Sequence, residues 1–203
     1  MFTENEIATL IEIPEVLDAT IKARENFKAN QVEYLEIIDH DFLSLVMMTP
    51  TVGMALANGS VSLFEELALN KMARKMSKGG YFLKVDPVVH AMKFLIEDYE
   101  KWELIFFEVI KTAMHATVDK SLISVSGISD EDRPIISFAR DLMSVPYVLV
   151  RFMSSFFLHD EAEIVDARPI SKVEFEKIVD IGNKLELNDL HVFKSFCNTF
   201  EVR

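Results

Sequence analysis

The stretch VVHAMKFLIEDYEKWELIFFEVIKTAMHATVD, residues 88–119, decides the fold class of this chain. Its apolar side chains recur every three to four residues, which is the period of an α-helix with one buried face. This apolar stripe consists of Val89, Met92, Ile96, Tyr99, Trp102, Phe106, Val109 and Ala113. Asp86 and Pro87 precede the stretch, as an N-cap residue followed by proline at the first helical position. We therefore predict one long helix that ends near Asp119.

Similar signals on both sides of this stretch predict further helices. Capping boxes at Thr3–Glu6 and Ser171–Glu174 mark two helix starts, because each pair satisfies free backbone amides. A third helical pattern runs from Pro14 to Met48, with a break near Asn30. Shorter helices are predicted at Val52–Ala57, after the N-cap residues Ser60, Ser129 and Asn188, and from Pro146.

These elements together predict the architecture. About eight unequal helices, with one short extended stretch at residues 81–85, favour an all-α fold. The chain has 203 residues, no internal repeat and no linker-like segment. We therefore predict a single compact multi-helix globule, formed by one domain over residues 1–203.

Charge and cysteine content exclude several classes of protein. The formal net charge is −12, which disfavours nucleic-acid binding because that function needs a clustered cationic surface. Cys197 is the only cysteine, so no disulfide framework can form within the chain. The start of the chain, MFTENEIATLIEIPE, lacks the basic and apolar segments of a signal peptide. We expect a cytoplasmic protein without a transmembrane segment.

An uncharged run between Asp41 and Glu65 stands out in a chain that is 27% charged. Breakers at Pro50 and Gly59 divide it, so it is too interrupted to span a bilayer. It forms a helix end, a short apolar connector and a helix start. We predict that this connector is buried or lines an opening into the interior.

A strip of cations follows this run. Lys71, Arg74, Lys75 and Lys78 are spaced so that they line one helix face, and Lys84 comes soon after. This cluster of positive charges in an acidic chain suits the binding of an anionic group. The local electric field depends on how the charges are clustered and not on the net charge of the chain. The simpler alternative is a solvated helix end whose cations complement the helix dipole.

A carboxylate–histidine metal site is a further alternative. Glu33, Glu36 and His40 are expected to share one helix face, because positions i, i+3 or i+4 and i+7 align on a helix. The sequence contains no nucleophile elbow, no H-E-x-x-H motif, no Walker A loop and no dinucleotide-binding glycine motif. We therefore assign no catalytic residue, no metal ligand and no cofactor, and we expect a protein that is not an enzyme.

The order of elements resembles that of glycolipid-transfer-type all-α lipid carriers. The resemblance lies in the chain length, in the long aromatic helix that carries Trp102, and in the helices around Pro146. It covers about two thirds of the chain and concerns layout alone. The head-group cluster of Asp, Asn and Lys that this family uses has no counterpart near NGSVSLFEE, so no functional residue is carried over.

We interpret the chain as a non-enzymatic binding protein for an apolar or amphipathic, lipid-like ligand with an anionic group near the cations. Sixteen phenylalanines and ten methionines supply large and adaptable apolar surfaces. The predicted ligand-binding residues are Met47, Met48, Val52, Met54, Phe64, Lys71, Lys75, Lys78, Trp102 and Phe106. The first alternative is a protein-interaction module that binds a partner helix or forms a homodimer. The second is a metal-dependent enzyme with carboxylate and histidine ligands.

Overall fold

Helices dominate the computed structural model, which describes residues 2–31, 35–79, 86–117 and 168–203. In chain order the elements are α1 (Glu4–Ile11), α2 (Pro14–Asn30), α3 (Asp39–Met47), α4 (Thr49–Ala55), a 3-10 turn (Leu56–Asn58), α5 (Leu63–Met76), α6 (Pro87–Glu97), α7 (Tyr99–Thr117), β1 (Arg168–Ile170), α8 (Lys172–Lys184), α9 (His191–Cys197) and β2 (Phe200–Val202). The predicted all-α fold is confirmed. The extended stretch at 81–85 and the helices predicted from Ser129 and Pro146 lie outside the described residues.

Local capping signals set most of the predicted helix starts. The boxes Thr3–Glu6 and Ser171–Glu174 both form, and Asp86 accepts a hydrogen bond from the amide of Val88 at the start of α6. Two predicted caps are wrong. The N-cap of α5 is Ser62 and not Ser60. The hydroxyl of Ser62 accepts a hydrogen bond from the amide of Glu65. The N-cap of α9 is Leu190, two residues after Asn188.

The described part of the stretch at 88–119, residues 88–117, forms two helices instead of the single predicted helix. Asp98 separates α6 from α7 with φ −118° and ψ 37°, which are not helical values. Its carboxylate accepts a hydrogen bond from the side chain of Gln31, which follows α2. Ile96, Tyr99 and Trp102 keep their three-residue spacing across the break. The apolar pattern therefore could not reveal a break that coincides with a contact between distant parts of the chain.

The break predicted near Asn30 is present. Helix α2 ends there, and α3 begins only at Asp39, after an irregular segment at 35–38. Helix α3 ends at Met47 and α4 begins at Thr49, with Pro50 in its first turn. Proline fits at this position because its missing amide hydrogen has no helical partner there.

An aromatic cluster from α2, α3 and α7 forms the centre of the core. The ring of Phe27 lies 4.8 Å from that of Trp102 and 5.7 Å from that of Phe42, between centroids. Phe42 meets Phe106 edge to face at 5.5 Å. All four side chains are fully buried. Aromatic pairs in such geometries contribute about 0.5–1.5 kcal/mol beyond their buried area, so this cluster anchors the three helices.

Helices α4, α7 and α8 meet at Tyr99. A Cβ added to Gly53 would clash with the phenol oxygen of Tyr99 and would lie 3.0 Å from its Cζ, so glycine permits this close approach. The ammonium of Lys177 lies 5.1 Å from the ring centroid. The hydroxyl of Tyr99 is buried and has no hydrogen-bond partner within the described ranges. Burial raises the pKa of Tyr99, and the carboxylates of Glu103 and Asp180 raise it further.

A small sheet not predicted from the sequence lies at the end of the chain. β1 and β2 are parallel, with Arg168 opposite Phe200 and Ile170 opposite Val202. The amide of Arg203 extends the pairing, because it donates a hydrogen bond to the carbonyl oxygen of Ile170 at 3.0 Å. Each strand has three residues, which is too few for an alternating pattern to be visible in sequence. Within the part of the chain that the structure describes, no helix has both the length and the apolar character needed to cross a membrane.

Candidate functional site on helix α5

Large apolar side chains point into solvent from the first turns of α5. Leu63 is 74% exposed, Phe64 is 83% exposed and Leu67 is 59% exposed. Single exposed apolar residues are ordinary on protein surfaces, but three on adjacent positions of one helix form a patch. The opposite side of α5 carries its buried residues, Leu69, Met72, Ala73 and Met76. The side chains of the apolar patch therefore take no part in packing the hydrophobic core.

Cations continue the same face toward the end of α5. Lys71 and Arg74 follow Leu67 at spacings of four and seven residues, so they lie on the same side of the helix. With Lys75 they line an open groove of about 480 Å³ that reaches α6. Val89 of α6 forms the opposite wall, and Leu67 joins the groove to the apolar patch. We call this combined surface the α5 face; it consists of Leu63, Phe64, Leu67, Asn70, Lys71, Arg74, Lys75 and Val89.

The charges of the α5 face are only partly neutralised. The Nε of Arg74 lies 3.1 Å from the carboxylate of Asp86, while the guanidinium carries further donors. No ion pair of Lys71 occurs among the described residues. The side-chain oxygen of Asn70 is buried beside the groove and has no hydrogen-bond partner in the same part of the chain. The groove can therefore accept an anionic group and a hydrogen-bond donor.

Both ends of α5 are held by hydrogen bonds. At its start the hydroxyl and amide of Ser62 donate to Glu65, and these bonds hold the pKa of that carboxyl below its usual range. At its end the buried carboxylate of Asp41 accepts the amide of Lys78 at 2.9 Å. The hydroxyl of Ser44 also donates to the carbonyl of Met76 at 3.0 Å. These contacts to α3 fix the position of the α5 face.

Lys78 departs from the predicted strip. Helix α5 ends at Met76, and Ser77 has extended backbone angles, φ −78° and ψ 158°. The predicted spacing from Lys71 to Lys78 therefore does not keep both residues on one helical face, and Lys78 is not part of the groove wall. Lys84 lies outside the described residues.

The other predicted ligand-binding residues lie in the core and not at the α5 face. Met47, Met48 and Val52 are buried in the main hydrophobic cluster, and Met54 is half-buried against it. Trp102 and Phe106 belong to the central aromatic cluster. The uncharged connector is thus covered by other helices. Of the predicted residues, the structure brings together Phe64, Lys71 and Lys75 on the face of one helix.

Five residues of the α5 face were missing from the predicted site. They are Leu63, Leu67, Asn70, Arg74 and Val89, of which Arg74 had been placed only in the strip of cations. Leu63 and Leu67 could have been found on a helical wheel, because they lie opposite the buried positions Leu69 and Met72. Val89 had no such signal. It belongs to the apolar stripe of residues 88–119, and only the packing of α6 beside α5 brings it to the groove.

The carboxylate–histidine face that was considered as an alternative does not form on one helix. Glu36 is exposed and lies in the irregular segment before α3, and Glu33 lies outside the described residues. The ring nitrogens of His40 lie 3.1 Å from the Asp41 carboxylate and 3.2 Å from the Glu4 carbonyl oxygen. Within the described ranges, no group of three or more His, Cys, Asp or Glu side chains could hold a metal ion.

Comparison of the chain with protein-family models, with curated proteins and with solved structures gave no match.

Proposed function

We propose that this protein acts by binding an amphipathic ligand on the α5 face. The apolar part of the ligand lies on Leu63, Phe64 and Leu67, and its anionic group lies on Lys71 and Arg74. The observation that carries the proposal is that exposed apolar and cationic side chains share one helix face and meet at a groove. An exposed apolar patch next to a groove is typical of an interaction surface.

Magnitudes indicate how much of the face a ligand must cover. Complete burial of a leucine or phenylalanine side chain is worth about 1.5–3 kcal/mol. A hydrogen bond to a charged group contributes about 1.5–3 kcal/mol. One contact of each kind therefore gives about 3–6 kcal/mol, which offsets only the lower part of the cost of association, about 4–15 kcal/mol. Only a ligand that uses several of the apolar and cationic side chains together binds tightly.

The outer surface is a better candidate than the interior. Met47, Met48 and Val52 are already buried against neighbouring side chains, as are Trp102 and Phe106. A ligand among them would have to displace well-packed core, which costs several kcal/mol. The α5 face needs no such rearrangement, because its side chains are already exposed.

A cytoplasmic location is part of the proposal. It is supported by the single cysteine, Cys197, since a reducing compartment suits a chain without internal disulfides. Fractionation of cells that produce the tagged protein would test it; recovery in a membrane or extracellular fraction would contradict it.

The binding proposal can be tested with a simple anionic amphipath. Decyl phosphate, kept below its micelle concentration, is titrated into ¹⁵N-labelled protein, and decyl glucoside serves as the uncharged counterpart. We expect chemical-shift changes confined to residues 63–75 and Val89, with a dissociation constant of about 1 mM, which corresponds to about −4 kcal/mol. Decyl glucoside should bind more weakly, because it lacks the charge that meets Lys71 and Arg74.

Matched charge reversals make the test specific. Lys71→Glu should weaken decyl phosphate binding about tenfold, the equivalent of one charged contact of about 1.4 kcal/mol. Lys22→Glu reverses an exposed lysine on α2 and should leave the affinity unchanged. Equal affinities for the two variants, or shift changes outside the α5 face, would refute the proposal. A dimer in sedimentation experiments that buries residues 63–75 would refute it as well.

A further inference from the structure

We infer that the natural occupant of the α5 face is an acidic α-helical segment of another protein, lying antiparallel to α5. This inference rests on the proposed function and specifies the class and the direction of the ligand. It uses three properties of the face: its length, its narrow width and the order of its apolar and cationic parts.

The length of the face suits a helix of about three turns. Phe64 and Lys75 are eleven positions apart, which corresponds to about 16 Å along the axis at 1.5 Å per residue. A partner helix that covers both ends therefore contributes about eleven residues. Side chains at every third or fourth position of such a helix would reach the patch, the groove and the cations in turn.

The width and depth of the face favour a helix over an anionic membrane. Its exposed cations on α5, Lys71, Arg74 and Lys75, occupy one side of a single helix, in a chain with a net charge of −12. A membrane plane would extend past the strip and face the rest of a chain with a net charge of −12, whereas a helix contacts only the strip. At physiological salt, charges more than about 8 Å from that helix are largely screened. The groove between α5 and α6 is recessed, so a protruding side chain fills it better than a flat surface does.

The order of the two parts specifies the direction. The apolar patch lies at the N-terminal end of α5, and the cations lie at its C-terminal end. A partner that meets the cations with its own first turns carries its acidic residues at its N-terminus, where the helix dipole favours them. The two helix dipoles then run in opposite directions, which is also favourable. In a parallel arrangement the acidic residues would lie at the partner's C-terminus, against its own dipole.

The inference can be tested with two synthetic peptides of one composition. The first has four glutamates in its N-terminal half and leucines and phenylalanine at three-to-four spacing in its C-terminal half. The second has the same residues in reversed order. We expect the first peptide to bind at least tenfold more tightly, with shift changes along residues 63–75. Lys71→Glu should weaken it about tenfold, and Lys22→Glu should not change it.

A nitroxide label on the N-terminus of the first peptide reads the direction independently. In the antiparallel arrangement it should broaden the amide signals of residues 74–79 and spare those of residues 62–64. Broadening of residues 62–64 instead would overturn the direction. Equal affinities of the two peptides would also overturn it.

Other outcomes separate this inference from the function on which it rests. If decyl phosphate binds the α5 face but neither peptide does, the helical partner is wrong and the binding surface stands. Binding to phosphatidylserine-containing vesicles that depends on Lys71, in place of peptide binding, would identify a membrane and overturn the inference. Absence of binding by decyl phosphate and both peptides would overturn the proposed function itself.

Discussion

Replacement of Tyr99 by phenylalanine should stabilise this protein. The hydroxyl of Tyr99 is buried at the junction of α4, α7 and α8 without a hydrogen-bond partner among the described residues. A buried polar group left unpaired costs about 1–3 kcal/mol, because the same group is hydrated in the unfolded chain. Phenylalanine keeps the ring and its contact with Lys177. We expect the free energy of unfolding to rise by about 1 kcal/mol at pH 7. With an m-value of about 2 kcal/mol/M, the urea midpoint then rises by about 0.5 M.

The advantage of the Tyr99→Phe variant should grow at alkaline pH. Burial raises the pKa of Tyr99 in the folded protein, whereas a tyrosine in the unfolded chain has a pKa of about 10. Ionisation of the phenol therefore costs no stability below about pH 10, and stability is lost as the pH rises above that value. At pH 11 the loss amounts to about 1.4 kcal/mol. Phenylalanine cannot ionise, so the difference between variant and parent should widen from about 1 to about 2.4 kcal/mol.

A second substitution tests the geometry of the junction. Gly53→Ala introduces a Cβ that clashes with the phenol oxygen of Tyr99, and such overpacking costs about 1–3 kcal/mol. In the Tyr99→Phe background the nearest ring atom is Cζ, 3.0 Å from that Cβ, so the cost should fall. Gly182→Ala is the matched control: its Cβ clashes with the ring of Phe193, and Tyr99→Phe should not relieve it.

Three outcomes would contradict these expectations. A lower urea midpoint for Tyr99→Phe at pH 7 would mean that the hydroxyl has a partner in the folded protein. A stability difference that stays constant between pH 7 and pH 11 would mean that the phenol ionises as easily in the folded state as in the unfolded state. Equal costs of Gly53→Ala in both backgrounds would disprove the close approach of α4 to Tyr99.

Three further predictions concern single residues. Ser62→Ala should lower the stability by about 1 kcal/mol through loss of the α5 cap, whereas Ser60→Ala should have no effect on thermal unfolding; equal effects would contradict the assigned cap. Asp41→Ala should lower the free energy of unfolding by about 3 kcal/mol or more. It should also speed hydrogen exchange at the amide of Lys78, which loses its acceptor, and unchanged exchange at that amide would contradict the contact. Partial burial raises the pKa of Cys197, so iodoacetamide should modify the folded protein more slowly than free cysteine at pH 7.5. After unfolding in urea the two rates should be equal, and rapid modification of the folded protein would contradict the partial burial.

The sequence by itself determined the fold class and many of the helix starts. The capping boxes at Thr3–Glu6 and Ser171–Glu174 join residues three positions apart, so they form wherever the local chain is helical. The same holds for Asp86 before Pro87 at the start of α6. The placement of Lys71 and Lys75 on one helix face also followed from helical spacing. These features depend on interactions within about one helical turn, which a sequence displays directly.

Only the tertiary structure decided what lies beside what. The break at Asp98 coincides with a contact from Gln31, far away in the chain. The burial of Met48 depends on which helices cover the connector, since an apolar residue fits a core and a cavity wall equally well. The groove exists because α6 brings Val89 beside α5. Such contacts join residues that are remote in sequence, and neither periodicity nor spacing carries information about their partners.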